Sequence, residues 1–100
     1  MTEFDYSSTN RRWQRLRQRA LRRDGHQCQE SARYGRAVPA EVVHHIWPVE
    51  EYPEYAYCLW NLVSLSRKAH DAMHDRNTRN LTPAGLRWKN RTPPPPSAEK

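Results

Sequence analysis

VVHHIWPVEEYPEYAYCLWNLVSLSRKAHDAMH, residues 42–74, is the stretch from which the rest of the chain is read. It opens inside a β-prone run, Ala40 to Trp47, closed by Pro48, which cannot donate to a sheet ladder. Two adjacent histidines, His44 and His45, stand near the end of that run. Residues 49–60 are acidic and aromatic and are broken by Pro53, so they read as a long connection with one helical turn around Glu54–Tyr57. Asn61 follows, and then Leu62-Val63-Ser64-Leu65 reads as a second short strand. Ser66 is a helix cap, and the pattern from Arg67 predicts a helix to about Arg76 that places His70 and His74 one turn apart on one face.

Outward from this stretch the chain simplifies. Upstream, Trp13, Leu16, Ala20 and Leu21 recur at helical spacing while seven arginines fill the rest of residues 11–23, with Asn10 as the cap and Asp24-Gly25 as the stop. Downstream, Thr82-Pro83 starts a short helix carrying Leu86 and Trp88. Residues 1–9 are patternless and expected to be disordered, residues 10–90 to form the single domain, and residues 91–100, with Pro93–Pro96, to be a disordered tail.

Composition narrows the function classes. With 36% hydrophobic residues in 100, the apolar surface available to offset ordering entropy is small, so four Trp and five Tyr must carry much of the core and a bound metal would add to it. A formal charge of +6, concentrated in residues 11–23 and 67–91, points to a polyanionic partner. Arg11, Arg12, Arg15, Arg22, Arg67, Lys68 and Arg76 are the candidate phosphate contacts. Two cysteines, Cys28 and Cys58, are too few for a disulfide framework, and no apolar run is long enough to cross a bilayer. The expectation is a cytoplasmic protein without membrane association.

Four of the five histidines fall between residues 44 and 74. Two imidazoles on one helical turn can reach one cation from a rigid backbone. Neighbouring strand residues point to opposite faces, so one of the adjacent pair can complete that site while the other faces a bond to be cut. Phosphodiester hydrolysis needs such a division: a base to deprotonate water, and positive charge where negative charge accumulates. An imidazole, titrating near pH ~6.5, is largely a free base at neutral pH.

These residues resemble the HNH, or ββα-metal, endonucleases, in particular the small phage enzymes and the nuclease domains of colicin-type DNases. The resemblance rests on residues 42–74, with LRRDGHQCQESARYGRAVPA upstream as its lead-in. The order is two histidines, an asparagine sixteen positions after the second, a histidine nine further on, and another after four. It implies an α+β fold in which a two-stranded antiparallel hairpin and a helix pinch a cation, beside the Arg-rich helix and a short C-terminal helix. It also implies roles: His45 as general base, Asn61 holding the loop that orients it, and His44, His70 and His74 as metal ligands. The implied activity is metal-dependent cleavage of double-stranded DNA, in a phage setting beside terminase proteins. A non-catalytic metal-stabilised DNA-binding module and a nuclease acting on RNA are the alternatives.

One departure from the phage pattern matters. Relatives with a second, structural zinc bind it through two C-x-x-C pairs, and the corresponding positions here are Cys28 with Ser31 and Ser66 with Ala69. Three of the four thiolates are missing, so no structural zinc is expected and both cysteines read as ordinary buried thiols. One divalent ion per chain remains. A ligand set of three imidazoles favours Zn, Ni, Co or Mn in binding strength over Mg.

Overall fold

Asn10 accepts a hydrogen bond from the Trp13 amide and so starts α1 (Arg11–Arg23), in a computed structural model that describes residues 4–96. The apolar stripe of α1, Trp13, Leu16, Ala20 and Leu21, is buried. The helix ends at Gly25, whose φ of +63° lies in the left-handed region that costs glycine least. A one-turn α2 (Gln29–Ala32) follows.

β1 (Val42–His45) then pairs antiparallel with β2 (Leu62–Leu65), Val42 opposite Leu65 and His45 opposite Leu62. The strand is shorter than the expected run of Ala40 to Trp47, because the Trp47 amide is taken by the Asn61 side chain instead of a ladder partner. The two-residue period of the hairpin divides the molecule. Val43 and Leu62 pack on the α1 stripe, joined by Phe4, Tyr57 and Leu59. On the other face Val63 and Leu65 pack with Cys28, Ile46 and Met73, against Val38, Ala69 and Trp88. The α+β architecture expected from the sequence is therefore present, with helices on both faces of a two-stranded sheet.

α3 (Arg67–Asp71) starts at Ser66, whose hydroxyl accepts from the Ala69 amide, but it is shorter than expected. The helix does not reach His74. Its continuation is pre-empted by Thr82, whose amide donates to the Met73 carbonyl and whose hydroxyl donates to that of Ala72. Those carbonyls would have accepted the next helical turn. His74 instead sits on an isolated antiparallel bridge with Leu81, at the neck of a loop over residues 75–80.

Thr82 also caps α4 (Pro83–Arg91) through the Gly85 amide. A Cβ on Gly85 would stand 2.5 Å from the Met73 carbonyl oxygen and 2.8 Å from Leu81 Cδ2, so only glycine allows this approach. Trp88 Nε1 donates to Glu30 at 2.8 Å and ties α4 to α2.

Cys28 is buried, with its sulfur accepting from Ser31 Oγ at 3.3 Å, while Cys58 is half-buried, not fully as expected; both are free thiols. At the N-terminus, within the stretch expected to be disordered, Phe4 packs on the core while residues 5–9 stay exposed and are tied down by hydrogen bonds. The Phe4 ring meets those of Trp13 and His45 edge-on, and Asn10 Nδ2 donates to the Asp5 carbonyl. α4 takes in Arg91, the first residue of the expected tail, and residues 1–3 and 97–100 lie outside the described residues.

Candidate active site

Alternation along β1 sends its two histidines to opposite faces, as the strand period requires. His44 points toward α3, where its ring lies 5.3 Å from those of both His70 and His74. One ligating nitrogen from each of the three lies within 4.8 Å of the others. His44 Nε2 is the one buried side-chain polar atom without a hydrogen-bond partner among the described residues. A nitrogen lone pair left unsatisfied in an interior is costly unless something electrophilic takes it up.

Burial, then the repulsion it would meet from protonated His70 and His74, holds His44 well below the ordinary imidazole range. His70 and His74 are lowered too, first by burial; next come the effect of His74 on His70 and the opposing pull of Glu50 on His74. All three are therefore neutral at neutral pH, the form that coordinates a cation. Three converging neutral nitrogens, one of them orphaned, fit a divalent metal ion.

His45 faces the other way, stacked on Trp13 with ring centroids 5.1 Å apart. Its Nε2 is 3.0 Å from the Ala56 carbonyl, which can only accept, so the proton sits on Nε2 and the lone pair on Nδ1. Burial lowers its affinity for a proton, and the bond to Ala56 partly restores it. His45 is thus an oriented free base.

Asn61 is fully buried, and its side-chain hydrogen bonds go to Trp47 and Tyr55, not to His45. Its Oδ1 accepts from the Trp47 amide at 2.7 Å, and its Nδ2 donates to the carbonyls of Trp47 and Tyr55 at 3.1 and 3.2 Å. It pins the exit of β1 to the segment presenting Ala56. The base is thereby oriented indirectly, through Trp47 two residues beyond His45 and Tyr55 one residue before Ala56.

His44, His45, His70 and His74 line one cleft of about 750 Å³, with Asn61 buried behind it. Tyr6, Trp13, Gln14 and Arg17 form the α1 wall, β1 the floor, and His70, His74, Arg76 and Arg79 the opposite wall, with Glu50 at the rim. Of the expected phosphate contacts only Arg76 lines it. Arg12 lies over the Tyr57 ring at 4.1 Å, and Arg67 faces Glu41 at 3.8 Å. Arg11, Arg15, Arg22 and Lys68 are exposed outside the cleft. Sequence reasoning missed Tyr6, Arg17, Arg79 and Glu50. The α1 spacing offered a signal for Arg17, one turn beyond Trp13, whereas nothing in the pattern marked Tyr6.

No family model and no curated protein matches the chain. Among solved structures, the fold is similar to the HNH endonuclease of the deep-sea thermophilic bacteriophage GVE2, determined with a manganese ion. The TM-score is 0.61 and the identity 28%, over 63% of this chain and 68% of that one. The likeness suggests a nuclease, and the histidine cluster is where a metal ion can bind.

Proposed function

We propose that the protein is a metal-dependent HNH endonuclease that hydrolyses phosphodiester bonds of double-stranded DNA. The observation that carries the reading is the division of labour on β1: His44 joins a neutral three-imidazole cluster while His45, one residue on, is an oriented base. His44, His70 and His74 would hold the ion, the histidine arrangement of colicin-type DNases. Once bound, it supplies Lewis-acid charge at the leaving oxygen. His45 accepts the proton of a water at Nδ1, with its Nε2 proton anchored on Ala56 and the anchor held by Asn61.

The arginines supply phosphate contacts. Arg17, Arg76 and Arg79 act at the cleft, and Arg11, Arg12, Arg15, Arg22, Arg67 and Lys68 on the flanks, so binding is mainly electrostatic and weakens steeply with salt. Likeness to a phage enzyme supports a phage-encoded protein; action in the host cytoplasm in genome packaging, beside terminase proteins, is the setting we propose for it. No described helix is long and apolar enough to cross a membrane.

The test is incubation of the purified protein with plasmid and Mn, Ni, Co, Zn or Mg, with chelator as control. Cleavage that needs the metal and disappears in His45→Ala supports the reading. Wild type and His45→Ala equally inert with every metal, while both bind DNA, would establish a non-catalytic binding module.

A further inference from the structure

The Tyr6 hydroxyl lies 3.2 Å from His45 Nδ1, the nitrogen that the Ala56 bond leaves free. Since that nitrogen carries a lone pair, the phenol must be the donor. Shielding of the hydroxyl end from solvent, although the residue as a whole is exposed, and then the nearby Glu50 carboxylate hold the Tyr6 hydroxyl protonated, the form that donates. An imidazole nitrogen has one lone pair in the ring plane. A water that is to lose a proton to His45 needs the same position.

We propose that Tyr6 is a removable cap on the base: its hydroxyl occupies the site of the attacking water until substrate enters the cleft and displaces it. The proposal rests on the nuclease reading of this site. Three observations favour displacement over a permanent bond. The Tyr6 residue is 53% exposed, whereas His45 is 6% exposed. The contact is long for an O–H donor. And Tyr6 belongs to a segment outside the hairpin and α3, tied to α1 by a 5.5 Å ring contact with Trp13 and by bonds of 3.4 and 3.2 Å from Gln14 to the carbonyls of Tyr6 and Ser7, and to the α1 cap by the 2.8 Å bond from Asn10 to the Asp5 carbonyl. It also lines the cleft that a phosphate backbone would fill.

Tyr6→Phe tests this, because it removes the hydroxyl and keeps the ring that packs on Phe4 and Trp13. Breaking one neutral hydrogen bond before reaction slows cleavage by about 2- to 10-fold, so its removal should raise the single-turnover rate by that factor. In the protein without DNA, the ¹⁵N resonance of His45 Nδ1 should move toward that of an imidazole nitrogen with no donor. An unmoved resonance would show that the contact does not exist in solution.

An unchanged or lower rate in Tyr6→Phe, with wild type active, would overturn the cap and make the hydroxyl a positioning group or a bystander. Loss of cleavage together with DNA covalently attached to wild-type protein would overturn it in favour of Tyr6 as a nucleophile. If wild type and Tyr6→Phe are both inert with every metal, the nuclease reading itself fails and the cap with it, whatever the resonance shows.

Discussion

The two faces of β1 treat the same side chain in opposite ways. His44, toward α3, ends in a buried nitrogen with no partner. His45, toward α1, has both ring nitrogens bonded, one to Ala56 and one to Tyr6, and its ring stacked on Trp13. The first face is incomplete without a cation, and the second is complete without one. A fold of this size can therefore leave one polar group unsatisfied, provided the face behind it closes independently.

The largest effect expected from this division falls on the complete face. His45→Ala should lower cleavage by roughly 10²–10⁴-fold, the usual share of general base catalysis, while metal content by elemental analysis stays at one equivalent. A mutant that also lost the metal would show that the faces are not separable. Asn61→Ala breaks three hydrogen bonds at a fully buried position and should cost about 2–4 kcal/mol in a denaturant titration. Cleavage should fall with it, metal binding less so, because the pinned segment orients His45 and not His44.

The incomplete face gives a change of opposite sign. His44→Leu should abolish the thermal stabilisation by added Mn or Zn, yet raise the stability of the metal-free protein by about 1–3 kcal/mol as the unsatisfied nitrogen is removed. Wild type more stable than this variant without metal would mean that the nitrogen has a partner in solution.

The smallest effect concerns the support of the α1 face. Burial tends to raise the Asp24 carboxyl, but hydrogen bonds from Arg23 and the Ser64 amide outweigh it and the net shift is downward. A carboxyl lowered in the folded state stabilises above its unfolded value of about 3.9 and ceases to do so as pH falls through the lower folded one. Asp24→Asn should cost on the order of 1 kcal/mol at neutral pH and flatten the acid limb of the stability curve. An unaltered acid limb would place the titrating groups elsewhere.

Much of this was legible in residues 42–74. Alternation in a strand is a local rule, so opposite faces for His44 and His45 followed from adjacency alone, and the capping residues Asn10, Ser66 and Thr82 carried their own signals. The length of α3 was not legible. Periodicity extended it to Arg76, but Thr82, ten residues from Ala72, takes the carbonyls the helix needed. His74 reaches the cluster from a bridge instead, so the three histidines come together by a route the spacing did not contain. Tyr6 lay beyond reach for a related reason: its contact with His45 spans 39 positions and depends on where α1 sits.

The bridge between His74 and Leu81 has a consequence for how such chains can vary in length. The loop it closes is sealed at its neck by the two hydrogen bonds that make up that bridge, the Asp75 amide on the Asn80 carbonyl and the Thr82 amide on the Met73 carbonyl. Residues added between Asn77 and Thr78 would lengthen the exposed arc while the seal holds the third histidine in place, and each doubling of a flexible loop costs only about 0.6 kcal/mol. Insertions or deletions are therefore permitted at the tip and forbidden at Leu81 and Thr82, which form the neck, and at Gly85, where a single added methyl group would already collide with the Met73 backbone.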